Sequence, residues 1–289
     1  MKYNQKSQGF VKRACQKCYH GLVKRHYHYF TSPLRVLPDF FVIGVVRSGT
    51  TSLFHYLGQH QCIRTAAYDE LGFFDDNFHL GMNWYRSLFP TSFIKKKIEN
   101  KYGKFLTFDD TPFYIYNPLV AERIHQLFPQ TKLIVNLRNP IDRAYSNYDI
   151  ALTKNEKRTF EEVIDQEIQF IDRVKDKLDD KAFLVNEFYE LILARGFYSS
   201  QLKFWFDKFS KNQFLFISSE EFAHNTNKTL EEIFKFLELP SVEIKDLTKQ
   251  NKREYPKMKE ITRDKLINYF KPHNEELFRM LGRRFEWDE

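Results

Sequence analysis

The chain contains few of the residues that mark small secreted or fibrous proteins. Only 3 of its 289 residues are cysteine, and glycine and proline contribute 10 each. The small, odd number of cysteines argues against a disulfide-stabilised scaffold and favours reduced thiols. The low glycine and proline content excludes collagen-like and low-complexity chains. Because 42% of the residues are hydrophobic, we expect a globular protein with one large core.

The sequence also lacks a long apolar stretch. Its longest uncharged apolar run, residues 40–46, is far shorter than the roughly 20 residues that cross a bilayer. The first ten residues, MKYNQKSQGF, lack the apolar segment of a signal peptide. These absences predict a chain without a transmembrane segment. Together with the cysteine content, they predict a cytoplasmic location.

The first 36 residues are basic and irregular. They contain no aspartate or glutamate, and their apolar residues follow no helical or strand period. We interpret residues 1–36 as a basic N-terminal extension and residues 37–289 as the folded domain. Cys15 and Cys18 have the spacing of one zinc-ligand pair, but no second pair stands at the spacing of a structural zinc site. The sequence therefore predicts no metal site.

The net charge of +7 leaves several classes of partner open. An anionic small molecule, an anionic glycan, a membrane surface and a nucleic acid are all compatible with it. Because the sequence has no clustered nucleic-acid recognition motif, we do not expect a nucleic-acid partner. The sequence leaves the oligomeric state open.

After residue 38, apolar runs of strand length alternate with helical patterns. PDFFVIGVV, KLIVNL and FLFIS predict buried strands, and FLTFD and CIRT predict shorter ones. Pro140 suits the first turn of the helix after KLIVNL, and a long helix is expected over about residues 226–237. Apolar strands between amphipathic helices are typical of a parallel sheet covered on both faces. We therefore predict an α/β fold with a P-loop-like parallel β-sheet and helices on both faces.

The segment GVVRSGTT, residues 44–51, lies between the first predicted strand and the first predicted helix. In this position, backbone N–H groups and a helix N-terminus converge on an anion. The segment has both glycines and the final threonine of the pattern GxxxxGK[ST], but Thr50 replaces the lysine. The nearby cation is Arg47, and KLIVNL runs into Arg138 instead of an acidic magnesium ligand. The loop predicts an anion site without a metal; a turn without a ligand and a nucleotide kinase are the alternatives.

Six collinear motifs resemble those of sulfotransferases that use 3′-phosphoadenosine 5′-phosphosulfate (PAPS), above all the heparan-type enzymes that modify glycans. RSGTTS resembles the family's 5′-phosphosulfate loop, and LRNPIDRAYSNY resembles its 3′-phosphate-binding strand and helix. Four further motifs follow the family's order: DELGFFDDNFHLGMNWYRSLFP, DDTPFY, RGFYSSQLKFWFDKF and PHNEELFRMLGRRFEWDE. The resemblance covers about residues 38–289 and implies transfer of a sulfuryl group from PAPS to an acceptor hydroxyl, without a metal.

The resemblance also implies which residues bind PAPS. Arginine suits a phosphate because its planar fork stays charged, and a serine two helical turns after Arg138 can add a neutral donor. Core packing is the alternative for Tyr198, and a solvated run of charge is the alternative for Lys252 and Arg253. The implied cofactor-binding residues are Arg47, Ser48, Gly49, Thr50, Thr51, Ser52, Arg138, Ser146, Tyr198, Lys252 and Arg253.

Two residues are implied to be catalytic. Arg47 would stabilise the charge that develops on the leaving group, because arginine does not give up its proton. Glu70 would remove the proton of the acceptor hydroxyl during an in-line transfer. Partial burial among apolar neighbours would make this glutamate a stronger base.

Three positions depart from the family's pattern. Asp69 and Gly72 stand where lysine and histidine are usual, and Asp110 stands where lysine is frequent. These changes make the predicted acceptor side more acidic, so we expect a neutral carbohydrate or glycolipid acceptor instead of a heparin-like polyanion. A module that binds PAPS, or its product 3′-phosphoadenosine 5′-phosphate (PAP), but has lost catalysis is the alternative.

Overall fold

The computed structural model describes residues 29–177, 180–250 and 256–287. Within these ranges the sheet has four strands: β1 (Phe40–Gly44), β2 (Phe108–Asp110), β3 (Lys132–Leu137) and β4 (Phe214–Ser218). Their order is β2-β1-β3-β4, and all three neighbouring pairs are parallel. The predicted parallel sheet is therefore confirmed.

Helices connect these strands and surround the sheet. In the described ranges the α-helices are α1 (Thr50–Leu57), α2 (Gly81–Ser87), α3 (Ser92–Tyr102), α4 (Pro118–Leu127), α5 (Pro140–Thr153), α6 (Phe160–Arg173), α7 (Lys181–Asn186), α8 (Tyr198–Phe206), α9 (Ser219–His224), α10 (Thr226–Phe236) and α11 (Glu260–Leu281). Helix α5 begins at the expected proline, with Asn139 as its N-cap, and α10 matches the expected long helix. None of the described helices has an apolar stretch long enough to cross a membrane.

Alternate residues of β1 face two separate cores. Phe40 and Val42 pack with apolar side chains of α1 and α10, whereas Phe41 and Ile43 belong to a larger core that includes α4, α8 and α11. This alternation follows from the two-residue period of a strand. Because all five residues of β1 are buried, both faces of the strand are covered by helices, as the uniformly apolar sequence predicted.

Two of the shorter predicted strands differ from the structure. β2 begins at Phe108, later than FLTFD indicates, and CIRT contributes only an isolated parallel bridge between Ile63 and Leu106. The reason is a turn just before this bridge, in which the N–H of Cys62 donates to the ring nitrogen Nδ1 of His60 at 3.1 Å. The turn leaves too few extended residues for a strand.

The cysteines fall into two groups. Cys62 is buried and carries a free thiol, whereas Cys15 and Cys18 lie outside the described residues. The described part of the chain contains no group of three or more His, Cys, Asp or Glu side chains arranged to hold a metal ion.

Candidate functional site

Residues just past the carboxyl ends of all four strands line one cleft of about 1070 Å³. Ligands of parallel α/β sheets bind in crevices at this edge. The predicted site residues that line the cleft are Arg47, Ser48, Gly49, Thr50, Thr51, Ser52, Glu70, Arg138 and Ser146. The fold therefore brings together residues that are spread over a hundred positions of the sequence.

The loop between β1 and α1 has two residues in the left-handed backbone region. Gly49 has φ 90° and is the N-cap of α1, a position that glycine occupies without steric cost. Arg47 has φ 73°, which is uncommon for a residue with a side chain. Backbone conformations of this kind cluster at functional sites, where the surrounding structure enforces them. One of the two unusual backbone conformations of this loop therefore belongs to a predicted site residue, Arg47.

Ser48 anchors this loop to the neighbouring strands. Its hydroxyl donates to the carbonyl of Val45 at 2.6 Å, and its own carbonyl accepts from Asn136 Nδ2 at 2.6 Å and from Ser219 Oγ at 2.9 Å. Neither Asn136 nor Ser219 was among the site residues predicted from the sequence. For Asn136 a signal was present, because it is a polar residue near the end of an otherwise apolar buried strand.

The two predicted phosphate sites are directly connected. The Nε of Arg47 donates to Ser146 Oγ at 3.0 Å, and Nη1 of Arg138 donates to the carbonyl of Arg47 at 2.6 Å. Ser146 is almost fully buried on α5. The loop after β1 and the strand-end arginine therefore form a single cluster with two cations, instead of two independent subsites.

Tyr198, one of the implied cofactor-binding residues, is not among the residues that line the cleft, and the structure favours the alternative of core packing. Its side chain is buried on α8, and its hydroxyl donates to the carbonyl of Arg138 at 2.8 Å. Burial raises the pKa of this hydroxyl far above its usual range. Tyr198 is a core residue that positions Arg138 from behind.

Lys252 and Arg253 lie outside the described residues. The residues just before them, Lys249 and Gln250, do line the cleft. The N–H of Gln250 donates to Ser52 Oγ at 3.0 Å, so this segment reaches the first turn of α1.

Glu70 lines the cleft from the loop before α2, but its environment differs from the expectation. The neighbouring Leu71, Phe73 and Phe74 are buried, whereas Glu70 itself is exposed. Its backbone is in the left-handed region, with φ 55°, and its N–H donates to the carbonyl of Asp110 at 2.7 Å. The apolar residues thus pack beneath the loop and do not surround the carboxylate. Glu70 is held by its main chain and presents its side chain to the cleft.

A buried hydrogen-bond network holds this loop against the end of β2. Asp109 accepts from the hydroxyls of Tyr85 at 2.8 Å, Tyr114 at 2.9 Å and Thr111 at 2.7 Å. The hydroxyl of Tyr114 in turn accepts from the N–H of Phe73 at 2.9 Å. Burial raises the pKa of Asp109 to about 6, although the three hydroxyl donors act in the opposite direction.

Asp110, which the sequence placed on the acceptor side, is also buried and is not among the residues that line the cleft, so its carboxyl does not contact an acceptor there. Its Oδ1 has no hydrogen-bond partner among the described residues. Burial raises the pKa of Asp110 well above its usual range, and the nearby carboxylates of Glu70 and Asp69 raise it further. This aspartate therefore takes up a proton more readily than an ordinary one, which lowers the negative charge beside Glu70.

The structure explains why glycine occupies position 72. Gly72 has φ 60°, and its N–H donates to Thr111 Oγ1 at 3.2 Å. A side chain there would be strained by this backbone, and its Cβ would lie 3.2 Å from Asp75 Oδ1. The histidine that is usual in the family does not suit this loop conformation.

The cleft is also lined by apolar side chains and by charged groups that pair with one another. Arg158 Nε donates to Glu156 Oε1 at 2.9 Å, and Arg195 Nη2 lies 3.5 Å from Glu190 Oε2. The Arg195 guanidinium also lies 5.6 Å from the ring centre of Phe113. Apolar residues that line the cleft include Pro112, Phe113, Ile150, Ala151, Val163 and Ile192.

Comparisons with known proteins agree with this geometry. The family model described as "Sulfotransferase domain" matches residues 37–288. The chain is 27% identical to the membrane-associated sulfotransferase kil1 of Dictyostelium discoideum, over 88% of this chain and 67% of that protein. It is 29% identical to heparan sulfate glucosamine 3-O-sulfotransferase 3B1 of Mus musculus, over 87% of this chain and 65% of that protein.

A solved structure is similar over nearly its full length. The crystal structure of a sulfotransferase from Alicyclobacillus acidocaldarius superposes with a TM-score of 0.65 and 25% sequence identity, covering 86% of this chain and 98% of the other. The chain spans only part of several curated relatives, down to 30% of the bifunctional heparan sulfate N-deacetylase/N-sulfotransferase 1 of Xenopus laevis. Since the family model covers most of the chain, from the first strand to the last helix, the chain belongs to the sulfotransferase domain family.

Proposed function

We propose that this protein is a PAPS-dependent sulfotransferase that acts on a hydroxyl of an uncharged carbohydrate or glycolipid. The observation that supports the proposal best is that the loop of residues 47–52, the Arg138–Ser146 pair and Glu70 all line one cleft. Sulfuryl transfer requires a site for a polyanionic donor beside a group that can accept a proton. A cytoplasmic location, expected from the sequence, is part of the proposal.

The residues of the loop cluster fit the chemistry of PAPS, which supplies a sulfuryl group attached to a phosphate. The N-terminus of α1 and the hydroxyls of Thr50, Thr51 and Ser52 suit the 5′ end of the donor. Arg138 and Ser146 suit the 3′-phosphate, because a charged fork and a neutral donor together satisfy several phosphate oxygens. Lys252 and Arg253 stay predicted contributors to the same phosphate.

Arg47 would act on the leaving side of the reaction. Its bond to Ser146 fixes the guanidinium beside the loop, so that its charge is already in place when the bond between sulfur and the bridging oxygen breaks. Arginine keeps its proton, so this role is electrostatic.

Glu70 would act on the attacking side. As the acceptor oxygen forms its bond to sulfur, the Glu70 carboxylate accepts the proton of that hydroxyl. The hydrogen bond from its N–H to Asp110 and the network around Asp109 hold the loop that carries it. Exposure to the cleft gives an acceptor direct access to this carboxylate.

The proposed acceptor follows from the lining of the cleft, which combines apolar side chains with equal numbers of acidic and basic ones. Apolar side chains with a few polar groups are typical of sites for neutral ligands. Arg158 and Arg195, which line the cleft, are already paired with glutamates, so these two offer little attraction to a sulfated polysaccharide. The names of relatives that modify heparan sulfate support a carbohydrate acceptor, while the charges favour an uncharged one.

The test is a transfer assay with PAPS and a panel of neutral glycans, glycolipids and a heparin-like polyanion, with PAP release as the readout. Glu70→Gln should lower kcat at least about a hundredfold. Its dissociation constant for PAP should equal that of the unaltered protein. Asp69→Asn is the matched control, since it removes the same charge from the same loop and should retain turnover. Equal loss in both variants would contradict the assignment of the base.

A PAP-binding module without catalysis is the second candidate, favoured by the absence of the usual lysine and histidine at Asp69 and Gly72. Such a module would be stabilised by PAP but would release none from PAPS with any acceptor. A ligand at 100 times its dissociation constant adds about 2.7 kcal/mol to stability, which thermal unfolding detects readily. Stabilisation by ATP with magnesium alone would instead favour a nucleotide kinase.

A further inference from the structure

An exposed apolar patch lies outside the cleft, where the chain enters the domain. Its members come from the segment before β1 and from the first turn of α3. Phe30 is 80% exposed, Phe93 is 75% exposed and Leu34 is 62% exposed, and the smaller contributions come from Tyr29 and Ile94. We call these five residues the entry patch. Large apolar side chains exposed in one group mark surfaces that bind a partner.

Hydrogen bonds join the two segments of the entry patch. Ser92 Oγ donates to the carbonyl of Leu34 at 3.0 Å, and Arg35 forms an antiparallel bridge with Thr91. Arg35 is further fixed by donating to the carbonyl of Phe89 at 2.6 Å. These contacts fix Leu34 and Arg35 beside the first turn of α3, so Phe93 lies next to the segment that carries Leu34.

Lysines lie next to the apolar members on the same helix. Lys96 and Lys97 follow Phe93 by three and four residues, and Lys101 follows Lys97 by four. Because residues three or four positions apart are neighbours on a helix, all three lysines share a face of α3 with the phenylalanine. All three lysines are exposed. The one carboxylate in α3, Glu99, lies 3.7 Å from a different lysine, Lys95. This face is consequently apolar and positively charged.

The preceding sequence has the same sign of charge. Residues 1–28 contain seven lysines and arginines and no aspartate or glutamate. Like charges disfavour placing this segment over the lysines of α3, and both together attract an anionic surface. Aromatic rings beside lysines are typical of proteins that lie on a bilayer, where the rings enter the interface and the lysines reach the headgroups.

We propose that the entry patch, with Lys96, Lys97 and Lys101, docks the protein on the surface of an anionic lipid membrane. The chain passes from the entry patch into the amino end of β1, whereas the cleft opens past the carboxyl end of that strand. Docking through this surface leaves the cleft accessible. The proposal does not depend on the activity proposed above.

The test is co-sedimentation of the full chain with vesicles of phosphatidylcholine containing about 30% phosphatidylserine, and with vesicles of phosphatidylcholine alone. We expect binding to the anionic vesicles that weakens as salt rises. A lysine near an anionic surface strengthens binding by about fivefold. The triple variant Lys96→Gln/Lys97→Gln/Lys101→Gln should therefore lower the partition coefficient at least about tenfold.

Matched variants separate this surface from general charge and hydrophobicity. Lys228→Gln/Lys235→Gln/Lys271→Gln removes the same charge from exposed lysines of α10 and α11 and should bind as the unaltered chain does. Phe30→Ser/Phe93→Ser should also weaken binding, whereas Ile261→Ser, at a site 77% exposed, should not. All of these side chains are exposed, so far-ultraviolet circular dichroism should show the fold unchanged.

Three results would overturn the proposal. The first is failure of the unaltered chain to bind anionic vesicles. The second is unchanged binding of both patch variants, which would assign any membrane affinity to residues 1–28. The third is concentration-dependent dimerisation in light scattering that Phe30→Ser/Phe93→Ser abolishes, because the entry patch would then be a contact between two copies of this chain.

Discussion

The side chain of Arg47 is tied to Ser146 by a hydrogen bond of 3.0 Å between Nε and Oγ, across 99 positions of sequence. It joins the loop after β1 to the second turn of α5. Arg138 completes the connection by donating to the carbonyl of Arg47 at 2.6 Å. The proposed leaving-group residue and the proposed 3′-phosphate residues therefore act as one unit.

Ser146→Ala should affect turnover as well as cofactor affinity. Without its partner, the Arg47 guanidinium loses a fixed orientation, and we expect kcat to fall about tenfold and PAP affinity to fall by a similar factor. Steady-state kinetics and calorimetric titration with PAP measure the two effects. In a double-mutant cycle with Arg47→Ala, the effects should be clearly non-additive. Additive effects would show that the hydrogen bond has no role in orienting the arginine.

Arg47→Ala and Arg138→Ala should differ in their kinetic signatures. Loss of the Arg47 charge should lower kcat by about 10²–10³ with a smaller change in PAP affinity, because its contribution rises in the transition state. Loss of Arg138 should chiefly raise the KM for PAPS. Arg138→Lys keeps the charge but not the fork, so it should restore affinity only in part. The reverse pattern of kcat and KM effects would mean that the two roles are exchanged.

Tyr114→Phe should destabilise the fold and disturb the loop of Glu70. The substitution removes a donor to Asp109 and leaves the N–H groups of Phe73 and Phe74 without their acceptor. We expect a loss of about 1–3 kcal/mol in the free energy of unfolding, measured by denaturant titration, together with lower kcat.

Tyr189→Phe is the matched control for this prediction. Tyr189 is also buried, but its hydroxyl has no hydrogen-bond partner among the described residues. Removing that hydroxyl should leave stability unchanged or raise it by about 1 kcal/mol, since an unpaired buried hydroxyl is costly. Similar losses in both variants would contradict the network as the origin of the effect.

The carboxyl of Asp109 should make stability fall as pH rises. Its pKa is raised in the folded state to about 6 from an ordinary value of 3.8, so folding favours the protonated form. This protonated carboxyl stabilises the fold by at most about 3 kcal/mol. The stabilisation is fully present below about pH 4 and is lost as pH rises through about 6.

Asp109→Asn isolates this contribution, because an amide keeps an oxygen for the tyrosine hydroxyls and does not ionise. Unfolding titrations from pH 4.5 to 7.5 should show the variant gaining stability relative to the unaltered chain as pH rises. Subtracting the free energy of unfolding of the unaltered chain from that of the variant cancels the contributions of other titrating groups. One of these groups is His60, whose pKa is lowered by burial. A constant difference across this range would show that Asp109 is ionised throughout in the fold.

Local patterns were sufficient for the sheet and for the phosphate loop. The runs FFVIG, KLIVNL and FLFIS are strands in the structure, and the loop lies where the first strand meets the first helix. CIRT does not form a strand, because a turn at His60 precedes it. This turn includes a hydrogen bond from the N–H of Cys62 to the His60 side chain, and an apolar strand pattern does not reveal such a bond. Asn136 was overlooked although its polarity in an apolar strand marks it.

The sequence alone determined the α/β class, the order of strands and helices, and the residue types that approach an anion, since these follow from period and chain order. Tertiary structure decided which groups face solvent. It exposed Glu70, buried Asp110 beneath it and placed Tyr198 behind Arg138. The physical reason is that burial and hydrogen bonding depend on contacts between segments distant in sequence, which no local pattern of residues specifies.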